Sequence, residues 1–318
     1  MTDTEHPTSE TVVSADSTEC DPWVVLNPTS GTAEHAEDVR RTVTDRGYTV
    51  RETTHEGHAV ALAREAAAAG VGRLAVAGGD GTVHEVVRGL AAASALDDVT
   101  LGVVPTGTEN LFAGAIGVTG VAHGFDRFER GECRQLDVGS AGDHPFVVSC
   151  IAGLPAEVST AASSDLKERF GSLAFVVAGL RELADFSGLQ VELTAISNGE
   201  ETTWTGDALC ALVGNVRRFV NRGGQANVED GLFDVVVIEQ MPPSDVLTEA
   251  TAHRLLGRDT EHVRHAQASQ LEIRTLDAEP ITFSLDGEAY THDTLTLHTK
   301  PRALTVCVGS EYEPTPTE

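Results

Sequence analysis

The chain has 318 residues, 41% of them hydrophobic, which is enough for more than one domain with a buried core. Aspartate and glutamate number 49 against 22 lysines and arginines, a formal charge of −27, so nucleic acid and anionic lipid surfaces are disfavoured as partners at low salt. No apolar run approaches the roughly 18 residues of a membrane span, and the five scattered cysteines, with no C-x-x-C pair, support neither a disulfide framework nor a zinc site.

Lys167 and Lys300 are the only lysines. An acidic, lysine-poor surface suits a salt-loving cytoplasm, because at about 1 M salt the Debye length of roughly 3 Å screens the self-repulsion. A cytoplasmic, reduced protein is expected.

Residues 1–21 are polar and acidic, without a basic or apolar leader, and read as a disordered segment. From residue 22 strands and helices alternate. "PWVVLNP" (22–28) is a buried strand, 33–47 a helix stopped by Gly47, 48–54 a second strand, and 57–70 an alanine-rich helix. "RLAVAG" (73–78) is the third strand, 82–94 the third helix, and "LGVVP" (101–105) the fourth strand. This alternation predicts an α/β domain over 22–135, a parallel sheet with helices on both faces. After residue 135 β-rich segments dominate, the last of them "TLTLHT" (294–299) and "ALTVCVG" (303–309), interrupted by one helical stretch at 162–186. They predict a β-sandwich over 136–309, whose last strand returns to the first domain, followed by a disordered tail at 310–318. "EHVRHA" (261–266) reads as a solvated helix face rather than a metal site.

Three polar clusters follow strands: "NPTSG" (27–31), "GGDGT" (78–82) and "PTGTEN" (105–110). In a parallel sheet all three lie at the carboxyl edge, where open α/β folds bind ligands. Each alone is also what an ordinary βα turn uses; their convergence points to a ligand. Gly78 and Gly79 allow close backbone approach to phosphate oxygens, Gly81 permits the turn, and Thr82 stands at a helix N-terminus that favours anions. Asp80 would repel a bare phosphate, so a metal–nucleotide complex fits better than a simple anion. The spacing matches neither the dinucleotide-binding G-x-G-x-x-G nor the Walker G-x-x-x-x-G-K-[ST] pattern.

"NPTSG", "TTHEGHA" (53–59), "GGDGTVHEVVRGL" (78–90) and "VVPTGTENLFA" (103–113), with "VEDGLFDVVVIE" (228–239) and "FSLDGEAY" (283–290) in the second half, resemble the diacylglycerol kinase catalytic family. The family includes soluble bacterial lipid kinases and, more distantly, sphingosine and ceramide kinases. The resemblance spans about residues 22–309 in order. It implies a two-domain, ATP- and Mg²⁺-dependent kinase acting on a lipid hydroxyl presented at the membrane surface; a homodimer is left open.

Carried over residue by residue, the resemblance places Asn27, Pro28, Thr29, Ser30, Gly31, Thr53, Thr54, Gly78, Gly79, Gly81, Thr82, Glu85 and Thr108 at the ATP site. Glu109 and Asn110 stand beside them. Asp80 takes the place of an essential aspartate near the Mg²⁺–phosphate group, and Glu288 that of the general base. Asn227, Asp230 and the backbone of Leu232 match a loop that holds a structural Mg²⁺ in some members, although Asp230-Gly231 equally makes a β-turn. There are two departures. Leu111 stands where many members carry aspartate, with Glu109 able to reach the same space, and His84 replaces a common asparagine. An NAD kinase-like enzyme and a nucleotide-binding regulator without catalysis are the alternatives. The first lacks the Asn-Glu dipeptide it would need, and retention of Asp80 and Glu288 argues against the second.

Overall fold

The structure is a computed structural model that describes residues 21–32, 35–153, 188–219, 224–240 and 262–316. The leader, the helical stretch at 162–186 and the last residues of the tail lie outside them.

The first half comprises β1 (Trp23–Leu26), α1 (His35–Asp45), β2 (Thr49–Glu52), α2 (His58–Ala68), β3 (Arg73–Gly78), α3 (Asp80–Ala92), β4 (Thr100–Pro105), α4 (Leu111–Ala115) and α5 (Val121–Arg130). Strands β2, β1, β3 and β4 pair in parallel in that order. Because successive strand residues face opposite ways, each strand feeds two cores. Leu74, Val76, Leu101 and Val103 pack with α2 and α3, whereas Ala75, Ala77 and Val104 pack with Val39 and Val43 of α1 and Phe125 and Phe128 of α5. A strand buried on both faces must be apolar throughout, which is why β3 and β4 read as continuous hydrophobic runs.

The second half is β5 (Glu132–Ala141), β6 (His144–Phe146), β7 (Ser149–Ala152), β8 (Leu189–Ser197), β9 (Glu200–Gly214), β10 (Arg217–Arg218), β11 (Gly224–Gln225), β12 (Phe233–Glu239), β13 (Val263–Ala268), β14 (Gln270–Thr275), β15 (Ile281–Leu285), β16 (Glu288–His292) and β17 (Thr294–Val308). It forms the β-sandwich, with Phe146, Phe233 and Phe283 fully buried in its core. β17 joins the halves. Thr294–His298 pair with β14, Leu304–Val308 pair with β5, and Val306 pairs in parallel with Leu101 of β4.

Two sequence readings are corrected. The segment around "EHVRHA" is not a helix: Val263–Ala268 form β13, antiparallel to β12, with His265 Nε2 2.9 Å from Asp234 Oδ1. Its exposed polar residues mark a strand edge rather than a helix face. The runs "TLTLHT" and "ALTVCVG" belong to one strand, β17, whose register shifts between Lys300 and Leu304 to pass Pro301. Helices α4 and α5 are additional to the elements read from the sequence.

Candidate active site

The loops after β1, β2, β3 and β4 meet at the carboxyl edge of the parallel sheet and enclose a cavity of about 460 Å³, within the usual size of small-molecule sites. Ten of the residues expected at a nucleotide line it: Asn27, Thr29, Ser30, Gly31, Thr53, Thr54, Gly79, Gly81, Thr82 and Glu85. His55, Glu56 and Gly107 complete the wall. None of these three was assigned from the sequence, although each lies inside one of the quoted motifs, "TTHEGHA" or "VVPTGTENLFA". Pro28, Gly78, Asp80, Thr108, Glu109 and Asn110 are not among the lining residues.

Hydrogen bonds between loops hold the cavity open. Asn27 Nδ2 donates to Thr82 Oγ1 at 3.0 Å, and its Oδ1 accepts from the backbone and hydroxyl of Thr29 at 3.1 and 3.0 Å. Ser30 Oγ and Thr106 Oγ1 lie 2.6 Å apart. Glu85 accepts the N–H groups of Gly57 (2.9 Å) and Ala59 (3.0 Å), so it fixes the loop that carries His55 and Glu56. Asn110 folds back on Gly107 through two hydrogen bonds of 2.9 and 2.7 Å. Two glycines are sterically required. A Cβ on Gly31 (φ +56°) would lie 2.3 Å from the Thr106 carbonyl oxygen, and one on Gly107 would lie 2.5 Å from the Gly79 Cα. No side chain caps the N-terminus of α3, where Gly79 is extended. Its first N–H groups therefore face the cavity edge as an anion would need.

Asp80 has a local task. Its two carboxylate oxygens accept the N–H groups of Leu111 (3.0 Å) and Phe112 (2.9 Å) and so hold the start of α4. Burial pushes its carboxyl above the usual range, against those two hydrogen bonds, and the charges of Asp286 and Glu109 push the same way. Arg217 supplies the opposing charge. Burial holds its guanidinium below the usual range, while Glu109 and Asp80 act in the other direction.

Glu288 enters from the second half. The β15–β16 hairpin turns through Asp286 (φ +48°) and Gly287 (φ +100°), the left-handed pair that a two-residue Asp-Gly turn requires. The Asp286 side chain is fully buried and accepts N–H groups from Val147, Val148 and Ser149 at 2.7–2.8 Å, as well as the Nδ1 of His84 at 3.0 Å. This pins the hairpin against α3. Glu288 then meets Arg88 Nη1 at 2.8 and 2.7 Å, and Tyr290 donates its hydroxyl at 2.9 Å. Glu288 lies on the α3 side of the domain junction and is not in the lining of the 460 Å³ cavity. His84, Arg88, Arg217, Asp286 and Tyr290 are the neighbours that motif matching did not assign. The signal for two of them was their spacing on α3, where His84 and Arg88 share a face with Asp80.

The loop expected to hold a structural cation is occupied with its own backbone. Asn227 Oδ1 accepts the N–H of Glu229 (3.1 Å) and Asp230 Oδ1 that of Leu232 (2.9 Å). Burial raises the Asp230 carboxyl. Among the described residues no group of three or more His, Cys, Asp or Glu side chains is arranged to hold a metal.

A parallel sheet with an uncapped glycine turn at its carboxyl edge, joined to a β-sandwich that presents a carboxylate, defines a two-domain α/β protein with a ligand site at that edge. The comparisons agree. Residues 21–141 match the diacylglycerol kinase catalytic domain, and residues 148–308 match the YegS C-terminal NAD kinase beta sandwich-like domain. A "Probable lipid kinase YegS-like" protein of Pseudomonas putida is 34% identical over 84% of this chain and 89% of its own length. The "Diacylglycerol kinase" of Bacillus subtilis is 30% identical over 83% and 88%. Two solved structures from Bacillus anthracis str. Sterne, described as diacylglycerol kinases, superpose with TM-scores of 0.74 and 0.67. They are 21% and 18% identical to this chain and cover 94% and 92% of it, with 99% and 98% of their own lengths covered. At that identity they speak to the fold. The chain belongs to the lipid kinase family that comprises the YegS-like proteins and diacylglycerol kinases.

Proposed function

We propose that this protein transfers the γ-phosphate of ATP to a hydroxyl of a lipid, a diacylglycerol-like, sphingoid or isoprenoid glycerol lipid met at a membrane surface. The observation that carries the reading is the pairing of a glycine-walled cavity on the first domain with Glu288 brought from the second by the buried Asp286. The names of the relatives, probable lipid kinase and diacylglycerol kinase, support a lipid acceptor.

In this reading the residues divide the work. Gly31, Gly79, Gly81 and Gly107 let backbone N–H groups approach the phosphates, while Asn27, Thr29, Ser30, Thr82 and Thr54 offer side-chain donors. Glu288 takes the proton from the acceptor hydroxyl as its oxygen turns on the γ-phosphorus, a contribution of about 10²–10⁴-fold. Among the described residues Asp80 is the carboxylate at the start of the phosphate-facing helix. Its chemistry fits Mg²⁺ held mainly by water and substrate phosphate, as this ion prefers. When bound, Mg²⁺ would neutralise charge on the phosphates. Asn227, Asp230 and the backbone of Leu232 are proposed for a second, structural ion only, which would have to share the two side chains with the N–H groups of Glu229 and Leu232. No described helix is long and apolar enough to cross a membrane, so contact with the lipid surface would be peripheral.

The test is transfer of labelled γ-phosphate from Mg-ATP at high salt, with detergent-dispersed total lipids and NAD as separate acceptors. Label in the organic extract supports the reading. Label on NAD moves the substrate class, and label on neither, with ATP bound, removes the kinase assignment.

A further inference from the structure

His84 is nearly fully buried (1% exposed), and its Nε2 has no hydrogen-bond partner. An orphaned buried nitrogen carries a desolvation cost unless it has a task. Its other nitrogen faces a carboxylate. Asp286 accepts three backbone N–H groups and, as a carboxylate, can only accept, so Nδ1 is the nitrogen that donates to it. That leaves Nε2 with a bare lone pair whenever the ring is neutral. The group facing it is Glu288, whose Oε2 lies 3.8 Å away. A lone pair and a carboxylate oxygen repel each other unless a proton stands between them.

Glu288 is already engaged on both oxygens. Arg88 Nη1 lies 2.8 and 2.7 Å from them and Tyr290 donates to Oε2, charge-assisted contacts that a proton arriving on Oε2 would weaken. Passing that proton to a neighbouring base restores them. We propose that Asp286, His84 and Glu288 form a relay in which His84, a positioning residue acting through Glu288, holds the proton taken from the acceptor hydroxyl. The inference rests on the reading of Glu288 as the group that meets that hydroxyl.

The step balances. The acceptor O–H bond breaks and its proton goes to Glu288 Oε2. The oxygen forms a bond to the γ-phosphorus, and the bridging P–O bond breaks with its electron pair leaving on ADP. The proton then crosses to His84 Nε2 after a side-chain shift of roughly 1 Å, the difference between the 3.8 Å gap and hydrogen-bond length. The products are an imidazolium beside ionised Asp286 and a carboxylate beside Arg88, so each charge ends next to its opposite. Among the described residues the charged and titratable groups around the relay are Asp286 and Glu288 on the ring, Arg88 and Tyr290 on Glu288, His144 packed 4.7 Å from the Tyr290 ring, and Asp80 and Cys150 near Asp286. Burial pushes the Cys150 thiol far up, so it stays neutral.

Two measurements test this. In the full chain labelled with ¹⁵N-histidine, the His84 signals are assigned by their loss in His84→Asn and followed with pH. Nδ1 is expected to stay protonated while Nε2 takes up the proton, at lower pH in Glu288→Gln than in wild type, the direction that removing an opposite charge gives. Equal midpoints in wild type and Glu288→Gln overturn the shared proton. In single-turnover transfer to dispersed diacylglycerol, His84→Asn is expected to lower the rate at least about tenfold. Its ATP affinity should not change, and the rise of rate with pH that tracks Nε2 deprotonation should disappear. An unchanged rate and pH profile overturn the relay. Wild type that transfers nothing to any lipid defeats the kinase reading instead, while the titration still decides whether the proton is shared.

Discussion

Asp286→Ala removes the acceptor on which the hairpin, the 147–149 segment and α3 converge. Three buried N–H groups, those of Val147, Val148 and Ser149, lose their partner. At about 1 kcal/mol or more for each orphaned donor, and about 1 kcal/mol for placing alanine at the φ of +48°, the loss comes to about 4 kcal/mol. That is a large share of the roughly 5–15 kcal/mol by which a domain is stable. Asp286→Asn should cost about half as much, because asparagine tolerates the left-handed region and its Oδ1 still serves Val148 and Ser149. Urea unfolding followed by tryptophan fluorescence is a suitable assay, since Trp23 and Trp204 report from the two halves separately. A loss below about 1 kcal/mol for the alanine variant would refute the claim that Asp286 fastens Glu288 to α3.

Other substitutions probe the same site. Gly107→Ala drives a Cβ to within 2.5 Å of the Gly79 backbone; calorimetric titration should show ATP binding weakened about tenfold or more, the order expected when positioned contacts shift. Arg88→Met breaks a half-exposed ion pair and should lower unfolding free energy by about 1 kcal/mol or less. Asp80→Asn tests the buried carboxyl. Burial raises its folded value above the ordinary one, so the contribution of Asp80 to stability is present below the ordinary carboxylate range and is lost as pH rises through the raised value. Paired urea titrations should therefore show wild type losing ground to the non-titrating variant as pH rises above the ordinary carboxylate range; a constant difference would contradict the buried, raised state.

Local physics made much of the first half readable. β3 and β4 are apolar on both faces because helices cover both, and the bounds of β3 coincide with the run "RLAVAG". The strand-end clusters gather at one cavity because parallel strands place their carboxyl ends on one edge. What stayed hidden depends on distant partners. The contact between His84 and Asp286 joins residues 202 positions apart, and nothing in the residues flanking His84 announces it. The role of Asp80 as the clamp of α4 depends on a five-residue helix too short to leave a periodic signal. β17 reads as two strands because Pro301 interrupts it, and only the pairing with β5 on both sides of the register shift makes it one. β13 is polar throughout its middle and is recognisable only beside β12.

The central claim is that one domain binds the nucleotide and the other supplies the carboxylate that takes the proton. Single-turnover transfer of labelled γ-phosphate to a lipid acceptor, measured beside ATP affinity in wild type and Glu288→Gln, tests it most directly. The account predicts equal affinity for ATP and a rate lower by about 10²–10⁴-fold in the variant. Equal rates, or a loss of ATP binding that accounts for the whole decrease, would contradict it.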